Sequence, residues 1–258
     1  MKITFLPKLG VAVLLFTTLN NSSFAQTTGK KITTRPFSWN SYFNTLQFSP
    51  KWSLTSDVSE RFFLDGGKQY QFFLRTQANV NLGQNWSAGV GFAYVRSHTS
   101  DPASTSTLAV PELRPYEELA YKQKFNKITL SHRYRIEERY FHKTASDKLV
   151  DGYNFNFRFR YQFGFDYNLY TSKGKSQMLN FKAADEVMVN AGKNIVTNMF
   201  DQNRFIVGFN YQPVKDFNVQ LDYMYIFQQR STAPLYNHFD VVRLQIFQRI
   251  NLNKKHAK

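Results

Sequence analysis

Arg133, Arg135, Glu137 and Arg139 occupy every second position of one stretch, Ser131-His132-Arg133-Tyr134-Arg135-Ile136-Glu137-Glu138-Arg139. In an extended chain, residues two apart share a face, so three guanidinium groups and a carboxylate fall in one row. The chemistry open to such a row is ion pairing. A guanidinium is a planar fork that takes a carboxylate through two parallel hydrogen bonds, and it sheds water more readily than an ammonium does. Glu118 sits just before this stretch, across a short turn, so it is placed to meet the row from the neighbouring strand. Arg75, Arg158, Arg160, Glu186, Arg204 and Asp222 share the polar parity of their own segments, as do Arg61, Lys122, Lys182, Arg243, Asp57 and Asp166. Basic residues outnumber acids in this set. A lumen lined by it would favour anions.

Covalent catalysis finds less to work with. His132 has the opposite parity to the Arg row, where an interfacial acyl hydrolase or transferase would place a base. Its neighbour Ser131 points the other way, and no G-x-S-x-G elbow occurs. The alternative to catalysis is an aromatic-belt histidine. The five histidines (His98, His132, His142, His238 and His256) show no metal-ligand spacing, and there is no cysteine. No phosphate-cradling glycine loop is present, so no cofactor is expected.

The elements that must carry these residues are strands. From Tyr153 to Leu169, Tyr153, Phe155, Phe157, Phe159, Tyr161, Phe163, Phe165, Tyr167 and Leu169 alternate without a fault with polar residues or glycine. This is about three times the length of an ordinary strand. Tyr70 to Leu82, Trp86 to Tyr94, Ile128 to Glu137, Arg204 to Tyr211 and Phe217 to Gln228 repeat the pattern. Weaker strands fit 37–48, 52–63, 113–124, 177–190 and 239–250. Short turns at 49–51, 83–85, 125–127 and 213–216 alternate with longer polar connections near 97–112, 142–152, 191–203 and 229–238. Short and long connections in alternation, with strands long enough to cross a bilayer, describe an up-and-down transmembrane barrel rather than a soluble sandwich.

Composition agrees. The chain has 258 residues, 17% of them aromatic, and a formal charge of +15, with a mean hydropathy of −0.46. The aromatic content excludes a disordered chain. The aromatics read mostly as a lipid-facing surface. The basic residues are spread along the strands instead of massed in one patch, which argues against nucleic acid. Residues 1–25 read as a secretory signal peptide: Lys2 and Lys8, an apolar run from Leu9 to Leu19, then Ser23-Phe24-Ala25. Residues 26–36 form a polar segment, either a poor strand or a stretch that threads the lumen, and 37–258 form the barrel.

Glu112-Leu113-Arg114-Pro115-Tyr116-Glu117-Glu118, the H-R-x-R-x-E-x-R run from His132 to Arg139, Asp185-Glu186, Asn203-Arg204 and Tyr223 resemble an outer-membrane barrel family, domain of unknown function 2490. The resemblance covers nearly all of the chain after its first segment. It implies a barrel in the outer membrane of a Gram-negative bacterium and implies no established activity.

The expectation is therefore an all-β, antiparallel up-and-down transmembrane barrel of 10 to 12 strands, with 12 favoured. Its partners would be outer-membrane lipid, the barrel-assembly machinery and small anionic solutes, with no nucleic acid. Its interior is either filled by the Arg/Glu network or narrowly anion-permeable; barrels of this size lie nearer the filled limit.

Overall fold

A computed structural model describes residues 31–174, 176–193, 195, 199–230 and 235–252. The proposed signal peptide lies outside the described residues. Among the described residues, eleven strands form one closed barrel: β1 (Lys31–Gln47), β2 (Trp52–Phe63), β3 (Gln69–Gly83), β4 (Trp86–Ser97), β5 (Val110–Phe125), β6 (Ile128–Ala145), β7 (Lys148–Thr171), β8 (Met178–Ala191), β9 (Phe200–Val214), β10 (Phe217–Gln229) and β11 (Leu235–Asn251). Each strand pairs antiparallel with its neighbour in sequence, and β1 closes on β11 in parallel, from Lys31↔Leu235 to Gln47↔Asn251. Eleven lies within the expected range but corrects the favoured twelve. Strands that reverse direction at each turn leave the first and last parallel when their number is odd. Of the polar segment 26–36, residues 31–36 are the first part of β1, running beside 235–240 of β11, and residues 26–30 lie outside the described residues.

Strand length follows from the alternation. The strands run from 12 residues in β2 to 24 in β7, at or above the ~9 to 11 needed to cross a bilayer. The turns at 84–85, 126–127 and 215–216 are tight. Gln84 and Asn85 both have positive φ, 47° and 69°, as a two-residue hairpin turn requires. At the opposite end of the barrel, β4 ends at Ser97, β8 at Ala191 and β10 at Gln229. The long connection expected over 142–152 is instead a two-residue turn, Ser146 (φ 50°) and Asp147 (φ 59°), with β6 and β7 running up to it. Beyond Phe141, β6 has no partner in β5, and before Phe157, β7 has none in β8. The β6–β7 tip is a two-stranded ribbon that extends past the strands on either side, and Ser106 of the 98–109 connection donates to Asp147 at its turn. Gly152, at φ 97°, accommodates the register shift within it.

The two faces differ as the alternation demands, with one correction. Outward residues include Val90, Phe209 and Leu221, which are 62%, 52% and 55% exposed. Not all aromatics face outward, however. Phe37, Trp39, Phe63, Tyr70 and Phe239 join Ile206, Met224, Ile226 and Val241 in a buried cluster on the inner face of β1–β3 and β9–β11, towards the end with the long connections. Tyr70 has the parity of outward Phe72 and Leu74 in the sequence. A register shift between Arg61 and Phe62 turns it inward, because one extra residue exchanges the faces of a strand.

Burial along the inner face is graded. In the half nearer the long connections, inner residues such as Phe37, Val95, Glu112, Met188 and Gln202 are buried. In the half nearer the short turns, Thr45, Asn79, Ser87, Lys122 and Asn180 are partly or fully exposed. The lumen is packed at one end and opens towards the other.

Candidate functional site

The charged wall is built by β5 to β9. Register places Glu118 opposite Arg135, Glu137 opposite Arg158, and Glu186 opposite Arg204. Glu137 is the hub, 1% exposed by its side chain. It accepts from Arg158 Nη2 at 2.5 Å and from Arg160 Nη1 at 2.6 Å, with Arg114 at 3.7 Å and Arg135 at 3.9 Å. Glu186 accepts from Arg133 and Arg160, both at 2.7 Å, and has Arg204 at 3.6 Å. Glu118 accepts from Arg135 Nη2 at 2.5 Å, with Arg133 at 3.8 Å. These residues form one continuous chain of ion pairs across five strands.

Arg139 reaches the chain indirectly. It donates to Glu112 at 2.6 Å, and Glu112 also takes Arg114 Nη2 at 2.8 Å. Asp201 joins at Arg158 Nη1, 3.0 Å away. Two expected members stand apart in pairs of their own: Arg75 donates twice to Asp57, and Asp222 accepts twice from Arg243. Glu112, Arg114 and Asp201 are members that sequence reasoning missed. Glu112 and Arg114 continue the parity of Glu118 by twos; Asp201 fell in a stretch read as a connection.

The opposite wall carries a different arrangement around Trp39. The Arg61 guanidinium carbon lies 3.6 Å from the Trp39 ring centre and 4.5 Å from that of Phe73, beside two rings stacked 6.5 Å apart. The guanidinium carbons of Arg243 and Arg204 stand 5.4 Å and 5.6 Å from the Trp39 ring centre. Both walls line a cavity of about 420 Å³.

His132 faces outward. Its Nδ1 lies 2.9 Å from the Tyr161 hydroxyl, and its ring packs against Tyr121 and Phe163. Trp86 stacks on Tyr121 in the same row. Ser131 lies on the other face, next to Gly164. Among the described residues, no serine or threonine hydroxyl is hydrogen-bonded to His132; its partner is the Tyr161 hydroxyl. Among the described residues, no group of three His, Cys, Asp or Glu side chains is placed to hold a metal.

Fold and site together define a class: a closed β-barrel with an apolar outer surface and a charge-paired interior. Residues 37–237 match the family described as "Protein of unknown function (DUF2490)", and the chain belongs to that family. Its characteristic segments meet in space. Glu186 faces Arg204 inside the barrel, while Asn203 donates to Asp185 outside at 3.0 Å, and Tyr223 donates to Asp240, also outside. No curated protein matches the chain. Among solved structures, the chain is similar to the NanC porin in a rhombohedral crystal form, with 10% identity and a TM-score of 0.41 over 76% of this chain and 89% of that one.

Proposed function

We propose that this chain is an integral outer-membrane β-barrel of a Gram-negative bacterium, exported by a cleaved signal peptide over residues 1–25, with a blind lumen that admits small anions from the short-turn end and does not conduct through. The carrying observation is the contrast between the two ends of the inner face. Phe37, Phe63, Ile226 and Phe239 on one side, and Glu112, Arg114, Glu137 and Arg158 on the other, are all buried at the long-connection end. An outer surface that leaves residues such as Phe209 and Leu221 more than half exposed is costly in water and suits lipid. Short turns face the periplasm in barrels of this kind, so the cavity would open there. Outer-membrane lipid and the barrel-assembly machinery are the partners this reading requires.

Planar bilayers test it. Purified protein reconstituted with chloride salts should give no steady current. Anion-selective steps would instead favour the narrow pore that the excess of Arg over acid residues would line. The acyl-transfer alternative through His132 gains no support from its surroundings, all of which are aromatic.

A further inference from the structure

We propose that the guanidinium cluster around Trp39 is a binding site for a small monocarboxylate, on the reading of the interior as an enclosed cavity reached from the short-turn end. The register builds it. Trp39 is opposite Arg61 of β2 on one side and Arg243 of β11 on the other, and Arg204 reaches it from β9. The three cations are not equally satisfied. Arg243 is held by both oxygens of Asp222, and Arg204 donates to Gln202 at 2.8 Å with Glu186 at 3.6 Å.

Arg61 differs from both. Its side chain is buried, 6% exposed, and its only hydrogen bond among the described residues is from Nη1 to the neutral Gln71 Oε1 at 2.5 Å. Its Nε has no acceptor, and neither has the buried Nε1 of Trp39 beside it. Two orphaned N–H donors and one cation without a carboxylate thus share one locus. The Trp39 and Phe73 rings both flank the guanidinium, and Arg61, Trp39 and Phe73 all line the cavity. A buried donor without an acceptor carries its full desolvation cost, and a buried cation without a counter-ion more. A carboxylate supplies what is missing: one negative charge and two oxygens, one for each orphaned donor. The surrounding rings suit a ligand whose remainder is apolar. A volume of about 420 Å³ is at the small end of ligand cavities.

The test uses acetate and the full barrel in detergent. Trp52→Phe with Trp86→Phe leaves Trp39 as the only tryptophan of three, so its fluorescence reports the site. Acetate at constant ionic strength should give a saturable change that chloride does not. Arg61→Lys, which keeps the charge but loses the Nε donor, should weaken acetate about tenfold or more, as loss of a charge-assisted hydrogen bond does. Lys122→Gln, which removes an inward cation remote from Trp39, should leave affinity unchanged. Heat-modifiable gel migration verifies that each variant is folded. The proposal is overturned by a folded wild-type barrel that shows no saturable response, by an equal response to chloride, or by equal weakening in Lys122→Gln and Arg61→Lys. If Arg61 variants do not fold, the wild-type comparison of acetate with chloride decides. Steady bilayer currents would sink the blind-lumen reading without touching this result, and absent acetate binding in a silent barrel would sink only the site.

Discussion

The ring of Tyr116 on β5 lies across the backbone of Gly91 on β4, so closely that a Cβ on Gly91 would stand 2.4 Å from Tyr116 Cζ and 2.7 Å from the Thr76 carbonyl oxygen. Tyr116 in turn supports the Arg135 guanidinium, whose carbon lies 4.4 Å from its ring centre. Absence of a side chain at one position thus fixes an aromatic floor beneath the ion-pair chain. Gly91→Ala should destabilise the barrel by about 1 to 3 kcal/mol through overpacking, read as a lower midpoint in unfolding from lipid vesicles. Gly174→Ala, with nothing within 4 Å of the added carbon, should leave the midpoint in place.

Glu137 binds two arginines and is nearly inaccessible, so Glu137→Gln removes one counter-charge from Arg158 and Arg160 together, leaving Arg158 with Asp201 and Arg160 with Glu186. Breaking a buried pair on one side costs roughly 3 to 5 kcal/mol. The variant should lose most of its folded fraction in the same assay. A midpoint equal to wild type would mean that the chain of pairs is solvated and adds nothing to stability.

The β6–β7 ribbon, which extends past its neighbouring strands, predicts a protease pattern. Trypsin should cut at Lys143 or Lys148 in folded protein in vesicles, while β7 from Arg158 onward stays intact. Cleavage at Arg158 or Arg160 at the same rate would place those residues outside the lumen.

His132 belongs to an outward aromatic row, so His132→Phe should assemble normally and keep the wild-type unfolding midpoint. Lipid turnover by the wild type that disappears in this variant would revive the acyl-transfer reading.

Phe209 sits on the outer face between Phe181 and Leu221, with no charged residue opposite it on either neighbouring strand. Phe209→Arg would place a cation in the apolar belt at a cost of roughly 2 to 4 kcal/mol. Reduced insertion into vesicles is the expected outcome.

The parts legible in the sequence were those where period 2 runs without interruption. Across β6 and β7 the alternation assigned Arg133, Arg135, Glu137, Arg158 and Arg160 to one face, and the pairing follows from adjacency. The apolar cluster was not legible, because Phe37 or Trp39 looks the same whether it meets lipid or the opposite wall. Tyr70 was misplaced by a bulge that leaves no mark in residue type. The Ser146-Asp147 turn lies inside the polar run 142–152, which has no apolar alternation to mark where the strands continue. The odd strand number was legible only as an unresolved count, since parallel closure depends on β1 meeting β11, 204 positions away in the chain at Lys31↔Leu235.

The account rests on which face meets lipid, and adjacent residues on opposite faces test it. In a background with Trp39, Trp52 and Trp86 replaced by Phe, a tryptophan is placed at Phe209 in one variant and at Asn210 in another, each reconstituted with brominated lipid. The account predicts strong quenching at 209 and little at 210. Equal quenching at both, or the reverse, would contradict it.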